Sequence, residues 1–228
     1  MFKKIIIAAI SASFVISAAF ADTTNIGVRI SAATLAASGT ETTDSAAGNS
    51  GGTAKVNKEN DADFELPSIF LERSFGLANA FSMTVGVDYV PMVEDVATLS
   101  GGDGTDAKVK AGNLITAYIQ PTFSVNDDVS VYGKLGYASA DLEIRDITRQ
   151  ATTGGDTAGT DTKADKTLEG PIFGLGIQVN KSIGALDFIR VEATRTNFDE
   201  IQHTNSNDKI LKADAEMDLI TLSIGKSF

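Results

Sequence analysis

The chain has 228 residues, 19 Lys and Arg against 30 Asp and Glu, a net charge of −11, one His, and neither Cys nor Trp. Without Cys there is no disulfide scaffold and no thiolate metal site, and an acidic chain has little hold on nucleic-acid phosphate, which needs a basic surface. The length suits one large all-β domain or two small domains, and an apolar content of 43% can fill a core or coat a surface that faces lipid.

The chain opens on a short positive stretch, Met1 to Lys4, and continues through the uncharged, mostly apolar run Ile5 to Ala21. That run ends in Ala19-Phe20-Ala21, an A-x-A pattern, before the polar Asp22-Thr23-Thr24-Asn25. This is the order of a secretory leader. The rival, an uncleaved anchor helix, sits at the lower limit of length for crossing a bilayer. The expectation is a cleaved signal peptide over 1–21 and one exported domain over 22–228.

After the leader no run is long and apolar enough for a membrane helix, and the dominant period is two. In Asn25 to Thr34, Ile26, Val28 and Ile30 alternate with Gly27, Arg29 and Ser31. Phe64 to Phe75 is less regular: Ile69, Leu71 and Phe75 oppose Ser68, Glu72 and Ser74, with Phe70 on the polar face. Ala80 to Pro91 sets Phe81, Met83, Val85, Val87 and Tyr89 against Ser82, Thr84, Gly86 and Asp88. In Leu114 to Val125, Ile115, Ala117, Ile119, Phe123 and Val125 oppose Thr116, Tyr118, Gln120 and Thr122. Val129 to Ser139 sets Val131, Leu135 and Tyr137 against Ser130, Lys134 and Gly136. Ile172 to Lys181 alternates Phe173, Leu175, Ile177 and Val179 with Gly174, Gly176, Gln178 and Asn180. Ile189, Val191 and Ala193 oppose Arg190, Glu192, Thr194 and Thr196. In the last segment Ile220, Leu222, Ile224 and Phe228 oppose Thr221, Ser223, Gly225 and Ser227.

These eight predicted strands of about ten residues are joined by connections that alternate in length. Those near Gly76–Asn79, Asn126–Asp128 and Ser182–Gly184 are short, whereas 37–60, 92–112, 146–166 and 199–213 are long and rich in Gly, Thr, Ser, Asp and Asn. Compact soluble domains rarely carry four such loops. An antiparallel up-and-down barrel with every long loop at one rim produces this order directly.

Alternation alone does not say which face meets water. In a soluble barrel the apolar face points inward; in a membrane barrel the polar face does. The polar face here holds small residues such as Gly27, Gly86, Gly176 and Ser223, which suit the narrow interior of eight strands. It also holds Arg29, Glu72, Asp88, Lys134, Arg190 and Glu192, a set of both signs able to neutralise itself as an interior network. Arg190 and Glu192, two apart, share a face and are expected to couple, and the partner could instead be Lys134 or Arg29, from other strands. A closing segment of Ile220, Leu222, Ile224 and final Phe228 then completes the pattern.

That segment resembles the insertion signal of bacterial outer-membrane barrels, and residues 22–228 as a whole resemble the small eight-stranded family of the OmpA-barrel, OmpX and opacity-protein type. The resemblance rests on the leader, strand rhythm, loop asymmetry and Phe228. It departs from the family at Lys226, where an aromatic residue is usual, and in having no Trp. Any aromatic girdle therefore falls to Phe75, Phe81, Tyr89, Phe123 and Tyr137. It implies an all-β, eight-stranded antiparallel up-and-down transmembrane β-barrel in the outer membrane. It further implies contact with outer-membrane lipids and lipopolysaccharide, recognition by the barrel-insertion machinery, and no cofactor.

Two charges on the outward phase, Arg73 and Arg195, are placed near strand ends, where a charge facing the membrane costs little. Pro67, Pro121 and Pro171 each remove a ladder donor; Pro121 and Pro171 are read as marking bulges or strand ends. His203 lies in the last predicted loop near Asp199, Glu200 and Asp208. No nucleophile motif accompanies it, so it reads as a solvated loop residue. Gly101 to Asp106, GGDGTD, matches half of a calcium-binding nonapeptide, but that motif works by repetition and a single copy reads as a turn. The reading is a structural or surface-interacting barrel with acidic extracellular loops, no enzymatic activity, and a lumen plugged by the six charges. Its rivals are a narrow small-solute channel, an outer-membrane hydrolase and a soluble ligand-binding barrel.

Overall fold

A computed structural model describes residues 22–42, 55–100, 105–148, 162–204 and 210–228; the leader lies outside them. Eight strands, β1 (Asp22–Thr42), β2 (Lys55–Ala78), β3 (Phe81–Ser100), β4 (Thr105–Ser124), β5 (Val129–Thr148), β6 (Thr162–Ile183), β7 (Leu186–Thr204) and β8 (Ile210–Ser227), form the ring. Each pairs antiparallel with its sequence neighbours, and β1 pairs with β8 to close the barrel. Toward the turns this closure leaves no sheet edge, as hydrocarbon requires because it cannot satisfy free backbone groups; toward the loop rim the β2–β3 ladder stops at Ile69–Tyr89 and the β6–β7 ladder at Ile172–Thr196, leaving two four-stranded sheets, β7-β8-β1-β2 and β3-β4-β5-β6. The last residue joins the seam: Phe228 exchanges both backbone hydrogen bonds with Thr24, at 2.9 and 3.0 Å.

The short connections fall as predicted, between β2 and β3, β4 and β5, and β6 and β7. Asn126 accepts from the backbone N–H groups of Asp128 and Val129, and Gly184 takes a positive φ of 64°. The long connections are shorter than predicted, because the strands run 18 to 24 residues where about 9–11 cross a bilayer. Much of 37–60, 92–112 and 199–213 is therefore strand, and the backbone of His203 pairs with Leu211 inside the ladder rather than lying in a loop. Residues 101–104 of the GGDGTD segment lie outside the described residues, and Thr105 and Asp106 open β4. Pro67, Pro121 and Pro171 lie opposite Ile30, Met83 and Tyr137 without a register shift, so none of them forms a bulge there. On the other side of Pro67 and Pro171 the ladders end close by, at Ile69 and Ile172. Pro91 falls within the Val90/Val93 register shift, and another shift, Gly112/Ile115, lies beside Asn113 at φ 50°.

The faces explain the extra strand length. Near the turns the strands are polar inside and apolar outside. On β1, Arg29 and Ser31 are buried while Ile26, Val28 and Ile30 are exposed. On β8, Thr221 and Ser223 are buried while Ile220 and Leu222 are exposed. Farther from the turns the same faces exchange character. Leu35, Leu66, Val90, Leu114, Leu142, Leu168, Phe198 and Met217, one from each strand, are buried inside and belong to one apolar core. On the outer face there, Asp63, Glu65, Glu216 and Asp218 are exposed or solvent-facing. One strand phase is thus a membrane barrel at one end and, at the other, two water-facing sheets packed around an apolar core.

Aromatic residues bracket the apolar outer band, as interfacial girdles do. Phe81 and Phe123 pack 5.0 Å apart beside the turn rim. At the opposite border Tyr89 and Tyr137 donate to Asn113 and Asp199 of the polar collar. Arg195 also lies at that border, in the body of β7 rather than near its end. Its two-pronged bond to Asp218, at 2.6 and 2.7 Å, is exposed. Arg73 stands between Leu71 and Phe75, its guanidinium 5.9 Å from the Phe75 ring.

Candidate functional site

The six luminal charges occupy inward positions on five strands, β1, β2, β3, β5 and β7, and lie at most 8% exposed. Burial of that depth requires each charge to find a partner. Glu72, fully buried, accepts on one carboxylate oxygen from Arg29 at 3.0 Å, from Arg190 at 2.6 Å, and from the Tyr118 hydroxyl. Arg29 also reaches Asp88 at 2.8 Å, and Ser68 donates to the same Asp88 oxygen at 3.1 Å. Lys134 pairs with Glu192. Three cations thus balance three anions. Arg190 and Glu192, expected as possible partners, take Glu72 and Lys134 instead.

Residues beyond the six hold this layer in place. The inward glycines noted from the sequence lie directly opposite inward aromatic residues: Gly27 with Phe70, Gly86 with Tyr118, Gly176 with Tyr132 and Gly225 with Phe188. Each ring lies flat over its glycine; a Cβ at Gly27 would come within 2.5 Å of the Phe70 ring, and one at Gly86 within 2.6 Å of Tyr118. The rings in turn carry the cations. Arg29 stands 4.3 Å over Phe70, Arg190 4.3 Å over Phe188, and Lys134 4.4 Å over Tyr118. A desolvated cation over a ring gains about 2 kcal/mol, which offsets part of the cost of burying it. Phe70 and Tyr118 were already on the polar face in the sequence. Tyr132 and Phe188 were missed, although each sits one strand away from a glycine of the same phase.

On the turn side of the charges a neutral polar set continues: Asn25, Ser74 and Thr84 are linked at 3.2 and 2.8 Å, and Ser227 donates to Asn25 at 2.8 Å. At that rim Asp187 accepts from the Ser227 backbone N–H at 3.0 Å and from Lys226 at 3.3 Å. The Ser227 bond, then Lys226, holds the Asp187 carboxyl below the usual carboxylate range. The position that weakens the family pattern, Lys226, therefore ties β8 to the start of β7. On the opposite side of the charges, Thr194 and Thr196 are buried hydroxyls without a protein partner, followed by the apolar core. Among the described residues no three His, Cys, Asp or Glu side chains gather as a metal site.

The residues expected from the sequence to form an insertion signal line the outer face: Ile220, Leu222 and Phe228 are 60%, 48% and 71% exposed, and Ile224 is half-buried in the same phase.

No curated protein matches the sequence. Among solved structures, the chain is similar to the attachment invasion locus protein Ail of Yersinia pestis in complex with the heparin analogue sucrose octasulfate. That match has 12% identity and a TM-score of 0.39, covering 88% of this chain and 98% of that one. It is similar to Neisserial surface protein A, with 13% identity, a TM-score of 0.38, and coverage of 87% and 97%. It is also similar to the outer membrane protease OmpT of Escherichia coli, with 8% identity, a TM-score of 0.41, and coverage of 92% and 99%. The family model of the outer membrane protein beta-barrel domain matches residues 6–225. The chain therefore belongs to the outer membrane protein β-barrel family, and it resides in the outer membrane of a Gram-negative bacterium.

Proposed function

We propose that the protein is a closed, non-catalytic barrel that acts as a structural or surface-interacting element through its long-loop rim. Its first 21 residues serve as the export leader, its turns face the periplasm, and its acidic loops face outward. The observation that carries this reading is the buried, self-neutralising charge layer. Eight strands leave a lumen only wide enough for side chains, and here those side chains are large, paired and stacked on rings. The acidic outer wall disfavours polyanionic ligands and suits cationic surfaces, with lipopolysaccharide phosphates approached through divalent ions. The lipids of the outer membrane cover the apolar band, and the insertion machinery reads the strand ending in Phe228. The test is conductance. Purified protein inserted in planar bilayers should pass no more current than lipid alone; stable current steps would instead establish the narrow-channel reading.

A further inference from the structure

We propose that the lumen carries two seals in series, the charged layer and a separate dry apolar layer beyond it, so that rearranging the charges does not open the barrel. This rests on the closed-lumen reading above. The second layer is built from every strand, and Leu35, Leu142, Phe198 and Met217 in it are all under 9% exposed. An apolar constriction stops ions by a different mechanism from a salt-bridge plug: it offers no group to replace the ion's hydration, and water retreats from it.

The two layers are also physically independent. On β7 the charged Glu192 and the apolar Phe198 are separated by Thr194 and Thr196, both buried. On β1, Ser31 and its 2.8 Å bond to Thr221 separate Arg29 from Ala33 and Leu35. No ion pair of the charged layer reaches into the apolar one: its acids are Glu72, Asp88 and Glu192, all in the charged layer itself. Exchange of partners among the charges therefore leaves the apolar layer packed. The outer wall supports the same conclusion, because acidic residues outside and apolar residues inside is the arrangement of two sheets packed face to face in water.

The chain has no native Cys, so single thiols report access cleanly. A membrane-impermeant charged thiol reagent is added from the loop side to full-length Thr196→Cys, with Asp63→Cys as the exposed control. Thr196→Cys should react at least about tenfold more slowly than the control, since it is reached only by local opening. Adding Phe198→Ala and Leu142→Ala should bring its rate toward the control while leaving the charges intact. Equal rates without those changes would overturn the second seal. In planar bilayers, Glu72→Gln with Arg190→Gln should stay closed, and the same pair combined with Phe198→Ala and Leu142→Ala should conduct. Current through the charge variant alone would also overturn the second seal, whereas current through the unaltered protein would overturn the closed-lumen reading itself. Heat-modifiable migration confirms that each variant is folded.

Discussion

At position 72 a single buried oxygen accepts from two guanidinium groups and a phenol, so its loss leaves Arg190 without its acidic partner and Arg29 with Asp88 alone. Removing one member of a buried pair costs about 3–5 kcal/mol, whereas removing both can be nearly neutral. Glu72→Gln should therefore lower the stability to guanidinium unfolding in detergent by about 3–5 kcal/mol. The double change with Arg190→Gln should cost clearly less than the sum of the single ones. The Arg190→Gln and Glu192→Gln pair should be close to additive, because those residues serve different partners. Additivity in the first pair and coupling in the second would reassign the network. Beneath the charges, a Cβ at Gly225 would meet the Phe188 ring first, at 2.3 Å. Gly225→Val should destabilise by about 1–3 kcal/mol, the cost of overpacking, and a compensating Phe188→Leu should recover part of it; the unfolding midpoint of the three variants measures this. All six charges and their common face are legible in the alternation of the sequence. Their pairings are not, because partner choice across the lumen depends on strand tilt and stagger, which residue spacing within a strand does not encode.

The strands themselves were legible near the turns and obscured beyond them for a physical reason. A β-strand has one side-chain phase, but here the polarity of each face reverses partway along. On β2, Ile69 and Leu71 outside give way to Glu65 and Asp63 in the same phase, while Ser68 and Glu72 inside give way to Phe64 and Leu66. Summed over a whole strand the two halves cancel, so the distal half reads as polar loop and Phe64 to Phe75 reads as irregular. Inserting Pro at Glu216, in the distal half of β8, should lower stability by removing a ladder bond if the strand is there; the same change in a loop would leave the unfolding midpoint unmoved. The turn end of β8 depends on Asp187. Its carboxyl is held low by Ser227 and Lys226, so its contribution is fully present above the unfolded-state value of about 3.9 and is lost as pH falls through the lower folded value. The stability gap between the native protein and Asp187→Asn should accordingly be constant from about pH 5 to 7 and close as pH falls below about 4. A gap that instead grew in acid would mean that the folded carboxyl is raised, not lowered.

For the whole molecule, the reversal line sets the position in the membrane. Below it Val28, Leu135, Leu175 and Leu222 face outward and are exposed, which only hydrocarbon makes favourable over so continuous a band. Above it the outer wall carries Asp63, Glu65, Glu216 and Asp218, and carboxylates in hydrocarbon are disfavoured. One surface of the bilayer therefore runs along the level of Tyr89, Tyr137 and Arg195, the outer surface in the orientation proposed above, and several residues of every strand stand clear of it in water. With the short turns on the other side, Asp63→Cys and Glu216→Cys should be labelled on intact cells by a membrane-impermeant thiol reagent. Asp127→Cys and Gly184→Cys should be labelled only after the outer membrane is breached, and Leu175→Cys should resist the reagent in both states while reacting with a lipid-soluble maleimide. The pair on the outer wall decides the matter. If thiols at 63 and 216 behaved like that at 175, lipid would cover the acidic collar, and the apolar residues inside it would have no water-facing sheets to hold together.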